Sequence, residues 1–227
     1  MATYDLEEQE QIAEIKAWWT QYGTLLLGIV TAASIGVIAW QGWNWYQRNQ
    51  TAQASTVYSV LQKAVLENDA QRIKAASGEL LEKFPQTAYA SLAALTAAKA
   101  TFDAGDAKTA RLQLLWVVDH GKDELRDLAR LRLAALLLDD QAYDEALKQL
   151  DGSPTGAFAV RFLDSRGDVF YAQGKKAEAR TAYQGALARL DETDQPGKGK
   201  NTLQDRQATA AYRELLEQKL AALGESR

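Results

Sequence analysis

Residues 98–114, AKATFDAGDAKTARLQL, carry the reading on which the fold turns. Two runs of helix-forming residues flank Asp103-Ala104-Gly105-Asp106, a cluster that ends one helix and starts another. Ala98 lies on the first run, Ala110 twelve residues later lies on the second, and Leu114 follows four further on. A small residue on each of two antiparallel helices lets their backbones approach, and a large side chain beside them fills the gap. The pattern recurs. Ala64, Ala134 and Gly167 match Ala98; Ala76, Ala146 and Ala179 match Ala110; Leu80, Leu150 and Tyr183 match Leu114. From Ala76 onward the separations are 34, 36 and 33 residues. Turn clusters at Asp139-Asp140-Gln141-Ala142 and Gln173-Gly174-Lys175 fall at corresponding offsets, which chance placement of alanine in an alanine-rich chain does not explain.

These separations bracket the 34-residue period of tetratricopeptide repeats, so the fold class expected is all-α, a tetratricopeptide-like α-solenoid. The repeats occupy residues 47–190, with the first unit, near 57–86, the least regular. Lys83-Phe84-Pro85-Gln86 and residues 151–156 (DGSPTG) separate successive units. Residues 191–200 (DETDQPGKGK) read as a flexible polar linker, and residues 201–227 return to helical periodicity through Ala211, Leu215, Leu216 and Leu220. That last helix is expected to cap the exposed face of the final repeat.

Upstream of the repeats, no residue from Ala17 to Gln47 is charged. Within that window residues 22–40 (YGTLLLGIVTAASIGVIAW) are nearly all apolar or small, and as a helix they reach about 28 Å, close to a bilayer core. Five of the six tryptophans stand at its two ends. Trp18 and Trp19 with Tyr22 precede it, and Trp40, Trp43 and Trp45 with Tyr46 follow, as aromatic belts at headgroup depth do. A single transmembrane helix with its aromatic exit is therefore expected over residues 22–46. Residues 1–21 hold five acids against Lys16, not the basic start of a cleaved leader, although Val37-Ile38-Ala39 has the form of a cleavage site. Ile12, Ile15, Trp19 and Tyr22 recur at helical spacing opposite Glu7, Glu10 and Glu14, which reads as a short interfacial helix. Gly28, Ala32 and Gly36 place small side chains on one stripe of the span, a candidate helix-packing face or simply the usual membrane composition. Lys16 on one side and Arg48 on the other leave the orientation a tie.

Composition narrows the function classes. Residues 49–227 hold 25 acids and 24 bases without a basic block, so there is no electrostatic footprint for nucleic acid. The absence of cysteine removes disulfides, thiolate catalysis and cysteine-ligated metals. His120, the one histidine, sits at an expected helix end with no nucleophile marked out beside it. Asp139 and Asp140 are explained by turn chemistry. Gly197-Lys198-Gly199-Lys200 lacks the spacing of a phosphate loop and follows no strand. No catalytic residue, cofactor, metal or small-molecule substrate is expected. In the repeat register the first helix of each unit lines the inner surface. Arg161, Asp164, Asp168 and Tyr171 then face inward together, with Lys99 from an earlier unit. They are a candidate groove; the alternative is an ordinary solvated helix face.

The layout as a whole resembles the YfgM family. The resemblance rests on the acidic start ending in Ala17-Trp18-Trp19, the exit Trp40-Gln41-Gly42-Trp43-Asn44-Trp45-Tyr46, and the run Thr87-Ala88-Tyr89-Ala90-Ser91-Leu92-Ala93-Ala94-Leu95. It covers about residues 4–190, and Gly105 and Gly174 stand at turns where the family also turns. It implies a bacterial inner-membrane protein, single-pass, with a cytoplasmic N-terminus and a periplasmic repeat domain. It further implies an ancillary subunit of the SecYEG translocon that associates with the PpiD chaperone and passes emerging polypeptides to periplasmic chaperones. A scaffold for envelope or stress-response assemblies that handles no clients is the alternative.

Overall fold

The computed structural model describes residues 3–156, 158–193 and 202–224. Among them are nine α-helices and no strand. In chain order these are α1 (Thr3–Leu66), α2 (Ala70–Lys83), α3 (Ala88–Asp103), α4 (Ala107–His120), α5 (Asp123–Asp139), α6 (Tyr143–Gln149), α7 (Ala159–Ala172), α8 (Lys176–Thr193) and α9 (Leu203–Ala222). The chain divides into two units, Met1–Ala52 and Gln53–Arg227.

The first unit is helix throughout its described residues. The short interfacial helix and the span it leads into, as read from the sequence, lie on one unbroken helix, α1, in which no proline interrupts the backbone bonds. One part of α1 is long and apolar enough to cross a membrane. Its Leu25, Leu27, Ile29, Val30, Ile35 and Ile38 are all exposed, so this is not a core helix packed beneath others. Two hydroxyls within it bond to the preceding turn, which spares them an unpaired state in hydrocarbon. Thr31 Oγ1 donates to the Leu27 carbonyl at 2.7 Å and Ser34 Oγ to that of Val30 at 2.8 Å.

The second unit is a stack of helical hairpins. Its first hairpin pairs residues 53–66 of α1 with α2; then come α3 with α4, α5 with α6, and α7 with α8, and α9 packs on α8. Each hairpin closes on the same turn. The left-handed residue is Asn68 (φ 53°), Gly105 (φ 86°), Gln141 (φ 59°) or Gly174 (φ 76°). Its amide donates to the carbonyl three residues back, and the next amide to the carbonyl five back, as in Gly105 to Phe102 (2.8 Å) and Asp106 to Thr101 (2.9 Å). This Schellman arrangement satisfies the orphan carbonyls at a helix end and sets the next helix running back. Asp69 and Asp106 then cap α2 and α4, accepting from the Arg72 and Thr109 amides at 3.0 and 2.9 Å.

All twelve residues of the small–small–large pattern are buried. The tightest case is Gly167, where an added Cβ would lie 2.3 Å from the Tyr183 ring. The first hairpin departs from the expected register. Ala76 follows its left-handed turn residue by eight positions, whereas Ala110, Ala146 and Ala179 follow theirs by five. By turn position Leu61 and Ile73, both buried, stand where the later units place alanine or glycine. A second difference lies at the end of the repeats. Asp191, Glu192 and Thr193, expected in the linker, form the last turn of α8, and residues 194–200 lie outside the described residues.

Candidate functional site

Asp164 and Asp168 stand one turn apart on α7, and two like charges at that spacing repel unless a cation lies between them. Helix α9 supplies it. Lys219 Nζ donates to Asp164 Oδ1 at 2.7 Å and to Asp168 Oδ1 and Oδ2 at 2.7 and 2.9 Å. Two phenol hydroxyls donate to the same carboxylates. Tyr212 Oη of α9 donates to Asp164 Oδ2 at 2.8 Å, and Tyr183 Oη of α8 donates to Asp168 Oδ1 at 2.8 Å. The ammonium also lies 5.5 Å from the centre of the Tyr183 ring.

The cluster is withdrawn from water on one side: the Asp164 side chain is 12% exposed and that of Lys219 26%, while that of Asp168 is 36% exposed. Burial by itself pulls the Lys219 ammonium down, but the hydrogen bonds and charges of Asp164 and Asp168 outweigh it and hold the group above its ordinary value. Burial pushes the Tyr183 phenol up, and Asp168 pushes it further; burial and then Asp164 do the same at Tyr212. Both hydroxyls therefore stay protonated at neutral pH and act as donors. Around this polar centre Leu216 of α9 and Leu223 just beyond it are buried with Val160, Leu190, Ala179 and Ala186. Thr202 and Asp205 form a capping box at the start of α9, and Arg180 donates to the Gly224 carbonyl just beyond its end. Helix α9 thus packs along α8 and latches onto α7 through Tyr212 and Lys219.

Of the residues the sequence places in a groove, Asp164 and Asp168 meet under α9, while Arg161 and Tyr171 beside them are exposed. Lys99 stands elsewhere, on α3, exposed and 2.6 Å from Asp103. It lines a separate groove of about 790 Å³ between α2, α3, α4 and α5, floored by Leu92, Leu95 and Leu128. Arg132 closes one side, donating to the Leu95 carbonyl at 3.1 Å. His120 stacks on Trp116, ring centres 4.5 Å apart and 10° from parallel. In the first unit Trp18, Trp19, Trp40, Trp43 and Trp45 are exposed, and a Cβ added at Gly28 or Gly36 would meet nothing within 4 Å. Ala32 is exposed on the same stripe. Tyr212 and Lys219 were not singled out from the sequence. The available signal was the unpaired Asp164/Asp168 turn of α7, together with a tyrosine and a lysine seven residues apart in α9.

Residues 16–225 match the tetratricopeptide repeat-like domain family. A protein of Neisseria gonorrhoeae named ancillary SecYEG translocon subunit is 32% identical over 190 residues, 82% of this chain and 90% of that protein. The chain belongs to the YfgM family. Two other members with the same name, from Haemophilus influenzae and Escherichia coli, are 30% and 28% identical over 184 and 182 residues. They are aligned over 90% and 87% of their own lengths and over 81% and 79% of this chain. The family match begins before the apolar stretch of α1 and ends after α9, so it takes in the Asp164–Lys219 cluster as well as the hairpins. No solved structure matches the chain. The family is of protein-interaction type, and what its stacked hairpins offer is surface: an open groove spanning the first three hairpins and a latched acidic site on the last.

Proposed function

We propose that this protein is a membrane-anchored adaptor at the SecYEG translocon, with an N-terminus in the cytoplasm and a repeat domain in the periplasm. The observation that carries the reading is the similarity to relatives named ancillary SecYEG translocon subunits along a chain that includes both the bare apolar helix and the hairpins. Residues 22–46 serve as the anchor, held at the two interfaces by Trp18, Trp19, Trp40, Trp43 and Trp45. Gly28, Ala32 and Gly36 form the face on which a helix of another membrane protein packs. The α3 groove with Lys99 receives segments of emerging polypeptide, and a PpiD-like chaperone is the next station. Anchoring confines a weak binding surface to the place where clients emerge, and the gain in effective concentration replaces intrinsic affinity.

Purification of the tagged full-length protein from gently solubilised membranes, with its companions identified by mass spectrometry, tests this. Translocon subunits together with a periplasmic chaperone are the expected companions. A stable, membrane-bound protein that recovers neither would overturn the reading.

A further inference from the structure

Helix α9 holds its place in an unusual way for a capping helix. Among its described side chains only Leu216 is fully buried, with Leu223 just beyond its end; Thr209, Tyr212, Arg213, Lys219 and Leu220 are partly buried. The other part of the hold is polar: one ammonium bridges two carboxylates on α7, two phenols donate to the same pair, Arg213 pairs with Asp191 of α8 at 2.5 Å, and Arg180 donates to the Gly224 carbonyl. An element with so few buried apolar contacts opens at a lower free energy than the hairpins beneath it. What it leaves behind on opening is chemically specific. Asp164 and Asp168 lose their cation, and the shelf of Val160, Ala186 and Leu190 meets water. On the open face both carboxylates hydrate, so an occupant that covers them again must bring a cation to the same point or bear the cost of burying them unpaired.

The geometry points to a ligand site on the last hairpin that takes a lysine-bearing amphipathic helical segment of another polypeptide, with α9 as its resident, displaceable occupant. The specification is read from α9 itself: an aromatic hydroxyl, then leucine four residues on, lysine seven on, and leucine eight and eleven on, as Tyr212, Leu216, Lys219, Leu220 and Leu223 stand. These positions share one helix face. Lysine is preferred over a neutral residue because the site holds two carboxylates against the single exposed Arg161 beside them. The inference deepens the adaptor reading by assigning a class of polypeptide to one face of the repeat domain, and it rests on that reading only for the source of the segment.

The test uses the purified full-length protein in detergent and a fluorescent peptide with the sequence of residues 202–224. The Tyr212→Phe, Lys219→Ala double variant, whose latch is loosened, is expected to bind the peptide at least tenfold more tightly than the unaltered protein. Replacing the lysine of the peptide by alanine, or adding Asp164→Asn and Asp168→Asn to the double variant, should remove that gain. Equal affinity for the lysine and alanine peptides would overturn the assignment. Hydrogen exchange on the unaltered protein is independent of how the variants fold. Amides of α9 are expected to exchange at least tenfold faster than those of α7 and α8; exchange at one common rate would show α9 to be a fixed part of the fold. Failure here leaves companions recovered from membranes untouched, and loss of those companions leaves the peptide result untouched.

Discussion

At the scale of single residues, two glycines separate packing from propensity. An added Cβ at Gly167 would press on the Tyr183 ring, whereas at Gly78, in the middle of α2, it would meet nothing within 4 Å. Gly167→Ala is therefore expected to destabilise the repeat domain by about 1–3 kcal/mol through overpacking. Gly78→Ala should stabilise it by about 0.5–1 kcal/mol, as removal of an unneeded helix glycine does. Thermal melting of the two variants checks both signs. Lys219→Met leaves Asp164 withdrawn from water without a cation and should cost about 2–4 kcal/mol, with part of the loss recovered when Asp164→Asn is added. The pH dependence follows from the raised Lys219 value. Its contribution is complete below the unfolded value of about 10.4 and is lost as pH rises through the higher folded value. The Lys219 contribution should thus persist through neutral pH and be lost in strong alkali, as read by the mobility of a probe on α9.

At the scale of elements, local punctuation was legible and distant contact was not. Gly105 and Gly174, each followed by a residue that starts the next helix, announce left-handed turns from a few neighbouring residues. Gln141 and Asn68 make the same turn without glycine, and the Asn68 turn falls three residues earlier relative to the alanine pattern. Periodicity alone therefore aligned Ala64 and Ala76 where turn geometry aligns Leu61 and Ile73. The helical character of α9 is written in its spacing, but its bonds to α7 join residues 48 to 55 apart, beyond any local signal. The N-terminal end of α9 is set by the capping box, in which bonds from Thr202 hold the Asp205 carboxyl below the usual carboxylate range. A depressed folded value contributes stability above the unfolded value of about 3.9, lost as pH falls through the folded one. Protection of the first-turn amides of α9 is accordingly expected to drop in acid, and Asp205→Ala should abolish that pH dependence.

At the scale of the whole molecule, the exposed apolar side chains of α1 and the hairpin stack ask for two different solvents. Two arginines in the middle of the apolar stretch, Val30→Arg and Ala33→Arg, oppose insertion by about 2.5–3.5 kcal/mol each. The double variant should move from the membrane pellet into the soluble fraction after alkaline extraction, with the hairpins still folded. The charge tie between Lys16 and Arg48 explains why orientation was not legible from the residues, whereas the anchor itself was. The adaptor reading places the α3 groove where clients pass. A photo-crosslinking residue substituted at Lys99 or Leu128, in membranes carrying a stalled, partly exported polypeptide, tests this most directly. Adducts to the emerging polypeptide, absent when the crosslinker stands on the outer face at Leu112, are the expected result. Adducts to neighbouring membrane proteins alone, with none to the polypeptide from either groove position, would contradict client handling and leave a scaffold.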